Sequence, residues 1–256
     1  MKDKETIIEV RNLTKKYGRN FAVNDVSFNV YKNEIFGILG PNGAGKTTSL
    51  EIIETLRKKT SGSVIVGGYN IDRDQAKIKS IIGVQLQSSG FFQELKLKEI
   101  IALFAALYDI KVKPLEVLKK VDLVEKANSF VKDLSGGQRQ RFSIATTIIN
   151  EPKIIFLDEP STGLDPQARR NLWELIKKIR THGTTVVLTT HFMDEAEYLS
   201  DRVAIIDEGK ILKIEKPETL VDELIKKGFK RHKKQKLANL EDVFLDFTGK
   251  HLRDTI

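Results

Sequence analysis

The chain has 256 residues, 40% hydrophobic and 30% charged, which allows one packed core with a small subdomain and argues against disorder. It has no cysteine, which excludes disulfides, thiolate metal sites and thiol catalysis, and its four histidines lack metal-ligand spacing. The net charge of +8 is concentrated in KKGFKRHKKQK (226–236) without an aromatic-interleaved basic face, so no nucleic-acid partner is expected.

The opening MKDKETIIEV has no signal-peptide core, and no apolar run approaches the ~20 residues of a membrane span. The best candidate, Ile100 to Tyr108, is closed off by Glu99 and Asp109. A protein that stays where it is made is expected. Residues 6–31 read as short strands with a turn near Tyr17-Gly18. IFGIL (35–39) is a strand buried on both faces, leading through a glycine-rich turn into a helix from Lys46 to Leu56. SGSVIVGGYNI (61–71) reads as another strand. From about Ser88 to Asn150 the pattern is helical, notably 96–110 and 136–150, with a break at Pro114.

KIIFLD (153–158) restores the β pattern. Asp165-Pro166 then starts a helix, with Asp as N-cap and Leu172, Leu175, Ile176 and Ile179 on its apolar face. TTVVLTTH (184–191) is a buried strand, and 203–214 reads as a hairpin turning at Glu208-Gly209. Strands alternating with helices predict an α/β fold with a mostly parallel sheet, short antiparallel pieces and one helical insertion.

GPNGAGKT (40–47) matches the phosphate-binding pattern between a strand and a helix. Gly40, Gly43 and Gly45 let backbone amides curl inward around phosphates, and Pro41, Asn42 and Ala44 complete the loop. The helix adds its positive N-terminus. Lys46 can reach the β and γ phosphates, Thr47 can ligate Mg²⁺, and Thr48 offers a further hydroxyl. Asp158 ends a buried strand, where a carboxylate needs a cation, and Mg²⁺ held by Thr47 is the natural one. Glu159, pointing the other way, can polarise an attacking water as general base.

LSGGQRQR (134–141) adds a second anion cradle. Ser135, Gly136, Gly137 and Gln138 open a predicted helix, so a hydroxyl, free amides and a helix dipole converge there. One nucleotide does not need two cradles from one chain. The second is therefore expected to close over a nucleotide held by another copy.

GPNGAGKT, LSGGQ, LDEP, STGLD (161–165) and an isolated His191 occur in the order seen in ABC transporter ATPases, and the likeness covers roughly residues 5–220. The resemblance implies a P-loop NTPase (RecA-like) core with an antiparallel β subdomain and an inserted α-helical subdomain. It also implies ATP and Mg²⁺ as ligands and a head-to-tail dimer with two ATP molecules at its interface. Tyr17 resembles the aromatic that stacks on adenine, although a surface tyrosine at a strand end reads the same way. Gln87 resembles the glutamine near Mg²⁺ and the attacking water, with Gln85 as its competitor. Asp165 resembles the carboxylate that communicates between sites, and His191 the switch histidine at the γ-phosphate. The expected organisation is a cassette over 1–225, with its helical subdomain at about 88–150, and a basic extension over 226–256.

GLDPQARR and the closing LEDVFLDFTGKHLRD (240–254) resemble bacterial drug- and polysaccharide-export ATPases of the daunorubicin-resistance type. That implies an export motor on the cytoplasmic side of the cell membrane, paired with a separate permease. The alternatives are an importer ATPase or a non-transport ABC protein. The basic run has two readings, a solvated linker or a contact with anionic lipid.

Overall fold

The computed structural model describes residues 5–85 and 90–229, with Val243, Asp246 and Phe247. The run IFGIL forms β3 (Ile35–Leu39), and β7 (Ile154–Asp158) and β8 (Thr185–Thr190) are likewise buried along their whole length. Such strands must be covered on both faces, which a parallel sheet with crossover connections provides. β8 lies between β3 and β7 and parallel to both. β9 (Arg202–Asp207) extends the sheet beyond β3, and β6 (Ile82–Gln85) extends it beyond β7. β10 (Lys210–Glu215) folds back antiparallel on β9, giving the order β10-β9-β3-β8-β7-β6.

Alternate residues of these strands feed opposite cores, as the period of two requires. Ile155, Leu157, Val186 and Leu188 pack into one core with α3 (Leu97–Leu107), α4 (Pro114–Lys120), α5 (Gly136–Thr147) and α6 (Pro166–Thr181). Ile154, Phe156 and Val187 pack into the other core, shared with α1 (Lys46–Ile53) and a second sheet. That second sheet is antiparallel, in the order β2-β1-β4-β5, from β1 (Thr6–Tyr17), β2 (Asn20–Tyr31), β4 (Ser61–Val66) and β5 (Tyr69–Asn70). Because the central strands run parallel, the loops after β3, β7 and β8 all leave from one edge, the carboxyl edge where α/β sheets bind ligands.

Several sequence expectations need correction. The short strands expected over 6–31 are two twelve-residue strands. Register shifts between Val10 and Leu13 and between Leu13 and Lys15 interrupt their alternation, so each reads as fragments. The single strand over 61–71 is a hairpin whose turn uses Gly67 and Gly68 at φ 60° and 85°. The helix from Lys46 stops at Ile53 instead of Leu56, because Thr55 turns to φ 65°. Ser88, where the helical stretch is expected to begin, lies outside the described residues; from residue 90 on the first helix starts at Leu97, and Pro114 opens α4 after the expected break.

Helices α2 (Gln75–Ile81), α7 (Met193–Leu199) and α8 (Pro217–Lys226) were not anticipated. α2 is a seven-residue helix with Ile78 as its one buried side chain, too little for a periodic signal. The boundary expected at 226 falls on the last residue of α8. Residues 230–236 and most of 240–254 lie outside the described residues, although Val243 packs with Leu220 and Leu224 of α8. Among the described residues no helix is long and apolar enough to cross a membrane.

The end of α1 brings a carboxyl into this core. Glu54 is 2% exposed, and burial, followed by repulsion from Asp158 and Glu51, raises its pKa from the ordinary 4.5 to about 8. A raised carboxyl favours the fold while it is protonated, so its contribution is full below pH 4.5 and is lost as pH rises toward 8. Glu54→Gln should therefore gain stability relative to the parent chain between pH 5 and 8.5, by on the order of a few kcal/mol. Urea denaturation at both pH values checks this, and an equal difference at the two would contradict it.

Candidate functional site

Residues 40–45 link β3 to α1 and are held from two sides. Gly209 N–H donates to the Ala44 carbonyl at 3.0 Å, and Asn24 N–H donates to the Gly209 carbonyl at 2.7 Å. Gly45 sits at φ 98°, and a Cβ there would lie 2.2 Å from the Ala22 carbonyl oxygen of β2, so only glycine fits. No side chain caps the start of α1, which leaves its first-turn amides facing the loop. Asn42 and Gly43 are exposed, Pro41 and Thr48 half-buried, and Ala44 buried. Lys46 is 4% exposed and curls back, its Nζ donating to the carbonyls of Gly40 (3.0 Å) and Pro41 (3.1 Å).

Asp158 ends β7 directly opposite. The Thr47 hydroxyl donates to both of its carboxylate oxygens, at 3.0 and 3.2 Å, and the Thr189 hydroxyl of β8 donates to Oδ1. Burial raises the Asp158 pKa, and those two donors counter it only in part. Thr189 is a site residue that sequence reasoning missed. The register Asp158↔Thr189 places it there, and register is not written in a single strand's pattern.

Glu159 follows at φ 48°, where the chain leaves the strand, with its N–H donating to the Thr189 carbonyl (3.2 Å) and hydroxyl (3.0 Å). Its carboxylate therefore diverges from that of Asp158. Oε1 is 3.1 Å from Lys46 Nζ, and Oε2 is 3.1 Å from Nδ1 of His191, the residue after β8. His191 first and Lys46 second outweigh burial and lower the Glu159 pKa to about 2. The adjacent carboxyls are thus pushed in opposite directions by their different surroundings.

Ser135 N-caps α5, its hydroxyl accepting from Gln138 N–H at 3.3 Å while Gln138 Oε1 accepts from Ser135 N–H at 3.0 Å. Asp165 N-caps α6 through Ala168 N–H at 2.8 Å, as expected. The two helix starts touch, since a Cβ on Gly137 would come within 2.9 Å of the Ala168 Cβ. Between them lies a cleft of about 220 Å³ lined by Ser135, Gly137, Gln138 and Asp165 but by none of residues 40–48. Cavities that enclose a small ligand run to roughly 300–1,000 Å³, so this one suits only part of a nucleotide. Within one chain, therefore, Lys46, Thr47, Asp158, Glu159 and His191 come together, and the Ser135 helix start lines a separate cleft.

Tyr17, at the end of β1, is exposed and accepts a hydrogen bond from Arg57, a partner with no signal in the sequence. Gln87 lies outside the described residues. Its competitor Gln85 is buried at the end of β6, opposite Leu157 of β7. Among the described residues no cluster of three or more His, Cys, Asp or Glu could hold a metal. The donors that do converge, a threonine hydroxyl and one buried carboxylate, suit Mg²⁺, which keeps waters and takes its other ligands from phosphates.

Comparison with known proteins agrees with this geometry. The family model for ABC transporters matches residues 23–162, more than half of the chain. The linearmycin resistance ATP-binding protein of Bacillus subtilis is 37% identical over 213 residues, 81% of this chain and 68% of that protein. The Nod factor export ATP-binding protein I of Cupriavidus pinatubonensis is 38% identical over 224 residues, 86% of this chain and 69% of that one. The daunorubicin resistance ATP-binding protein of Streptomyces coeruleorubidus is 34% identical over 213 residues, 81% of this chain and 67% of its own.

Among solved structures, the ATP-binding subunit of an ABC transporter superposes with TM-score 0.81 at 25% identity, over 95% of this chain and all of that one. A dimeric ATP-binding cassette bound to ADP and Pi, in a post-hydrolysis state, gives TM-score 0.73 at 31% identity, over 82% of this chain and 98% of that one. With ATP-binding subunits recurring among sequence relatives and folds alike, this chain belongs to the ABC transporter family, as an ATP-hydrolysing cassette.

Proposed function

We propose that this cassette is one half of an export motor, in which two copies close head to tail over two ATP molecules and drive a separate membrane permease. The observation that carries this reading is the separation of two anion-binding helix starts. The Lys46 loop has the acidic pair and His191 beside it, and the Ser135 helix start lines its own cleft. Two copies arranged head to tail bring each loop opposite the other copy's serine. The dimeric relative bound to ADP and Pi supports the arrangement, and the resistance and export relatives support the direction. Such a motor works at the cytoplasmic side of the membrane. The cassette is taken as residues 1–225, with its helical subdomain at about 88–150 and an extension over 226–256.

In this mechanism the phosphates enter the loop 40–45, where the uncapped start of α1 presents amides to negative charge. Lys46 exchanges its bonds to Glu159 and to the Gly40 and Pro41 carbonyls for phosphate oxygens. That exchange releases one oxygen of Glu159, which is then free to accept a proton from the attacking water. His191, already beside Glu159, reaches toward the γ-phosphate. Thr47 and Asp158 would hold Mg²⁺, which when bound neutralises charge developing on the phosphate oxygens. Gln87 completes that set, Tyr17 stacks on adenine, and Thr48 adds a hydroxyl in the first turn of α1. Ser135, Gly136, Gly137 and Gln138 offer the other copy's γ-phosphate a hydroxyl and a helix start. Asp165 stands where the two copies meet.

Two substitutions test the assignments. Glu159→Gln should keep ATP binding and lose turnover by about 10²–10⁴-fold, the share typical of a general base. Hydrolysis by that variant at close to the parent rate would reject Glu159 as the base. Ser135→Arg should bind ATP as a single chain yet fail to dimerise, with turnover down on the order of a hundredfold. Light scattering in the presence of ATP checks this, and an intact ATP-dependent dimer would rule out the cross-chain role.

A further inference from the structure

Behind the site, a fully buried carboxylate has no part in the chemistry described above. Glu195 lies on α7, four residues after His191, and is 0% exposed. Its Oε1 accepts a hydrogen bond from the Ser161 hydroxyl and another, at 3.0 Å, from the Trp173 indole Nε1. The indole also lies 3.0 Å from the Ser161 hydroxyl, closing a three-membered ring of polar contacts. Ser161 is likewise 0% exposed.

A buried carboxylate is costly unless several donors hold it, and here burial raises its pKa while Ser161, Thr190 and Trp173 pull it back. A stabilising role alone is a poor explanation, because an apolar side chain would fill the same space at less cost. The position of each partner suggests another. Ser161 stands in the turn between Glu159 and Asp165. Trp173 is on α6, the helix that Asp165 caps and that touches Gly137 at the start of α5. Thr190 immediately precedes His191, and its hydroxyl accepts the N–H of Phe192 at 2.9 Å. One carboxylate therefore joins the His191 segment, beside the γ-phosphate site, to the turn and helix that border the Ser135 cleft.

We infer that Glu195 is a positioning residue that makes the His191 segment and the 161–165 turn shift as one body. The nucleotide state at one site is thereby transmitted to the surface that meets the other copy. The inference rests on the two-copy reading above. It assigns Glu195 no contact with ATP, so its loss should alter turnover and coupling and leave nucleotide affinity alone.

The chain supplies its own reporter, since Trp173 is its only tryptophan. Full-length parent chain, Ser161→Ala, Glu195→Ala and Glu195→Gln would be compared in MgATP binding, steady-state hydrolysis and Trp173 emission with and without MgATP. Ser161→Ala removes one hydroxyl and leaves the Trp173–Glu195 bond, so the fold is preserved even if Glu195→Ala disturbs it.

Ser161→Ala and Glu195→Ala should bind MgATP within about twofold of the parent and lose kcat by about tenfold to a hundredfold, the scale of a misplaced site. Both should also lose cooperativity in ATP and the emission change. Glu195→Gln, which keeps an acceptor oxygen, should retain part of each. Parent-like turnover and cooperativity in both truncating variants would overturn the inference. So would a fall in turnover that leaves the cooperativity and the Trp173 response intact. A parent chain that hydrolyses ATP without cooperativity would instead contradict the two-copy reading.

Discussion

A lysine and a glutamate, each almost wholly buried and 3.1 Å apart, hold the site together: Lys46 and Glu159. Each would be expensive to bury alone, and removing one would strand the other. Their pairing requires the loop after β3 and the turn after β7 to end at the same height, which the shared neighbour β8 enforces. It also requires the glycines at 43 and 45, since the loop must curl before α1 can start at Lys46 itself. The ion pair is as much a latch as a bond. In the proposed mechanism phosphates offer Lys46 more negative charge than one carboxylate does, so nucleotide binding and the freeing of Glu159 become a single event.

The same logic separates the two acidic residues. Asp158 remains in the strand, where hydroxyls of Thr47 and Thr189 surround it. Glu159 leaves the strand through a left-handed backbone, and that one turn points it at Lys46 and His191. A change of backbone conformation between neighbours thus gives two carboxyls opposite electrostatic environments. What one chain does not assemble is equally informative. The Ser135 helix start packs on the start of α6 and lines a cleft that includes none of residues 40–48.

The features legible in the sequence were those whose chemistry is local. The buried runs 35–39, 153–158 and 184–191 gave the central strands to within a residue or two, because burial on both faces leaves a continuous apolar run. Asp165-Pro166 and Ser135 announced their helices because capping is a contact over three residues. The turn at Glu208-Gly209 was readable for the same reason. What escaped depends on partners far apart in the chain: Thr189 against Asp158, Arg57 against Tyr17, and the ring of Ser161, Trp173 and Glu195. Long strands broken by bulges, and α2 with its single buried residue, escaped for want of an uninterrupted period.

The central claim is that the site is complete only between two copies, and the absence of cysteine allows a direct measurement. Asn42→Cys and Ser135→Cys chains, each also carrying Glu159→Gln to stall hydrolysis, would be mixed and treated with a short thiol-to-thiol cross-linker. The account predicts a covalent dimer containing one chain of each kind, formed with MgATP and not without nucleotide. A yield of mixed dimer that is the same with and without MgATP would contradict it, as would linkage of positions 42 and 135 within one doubly substituted chain.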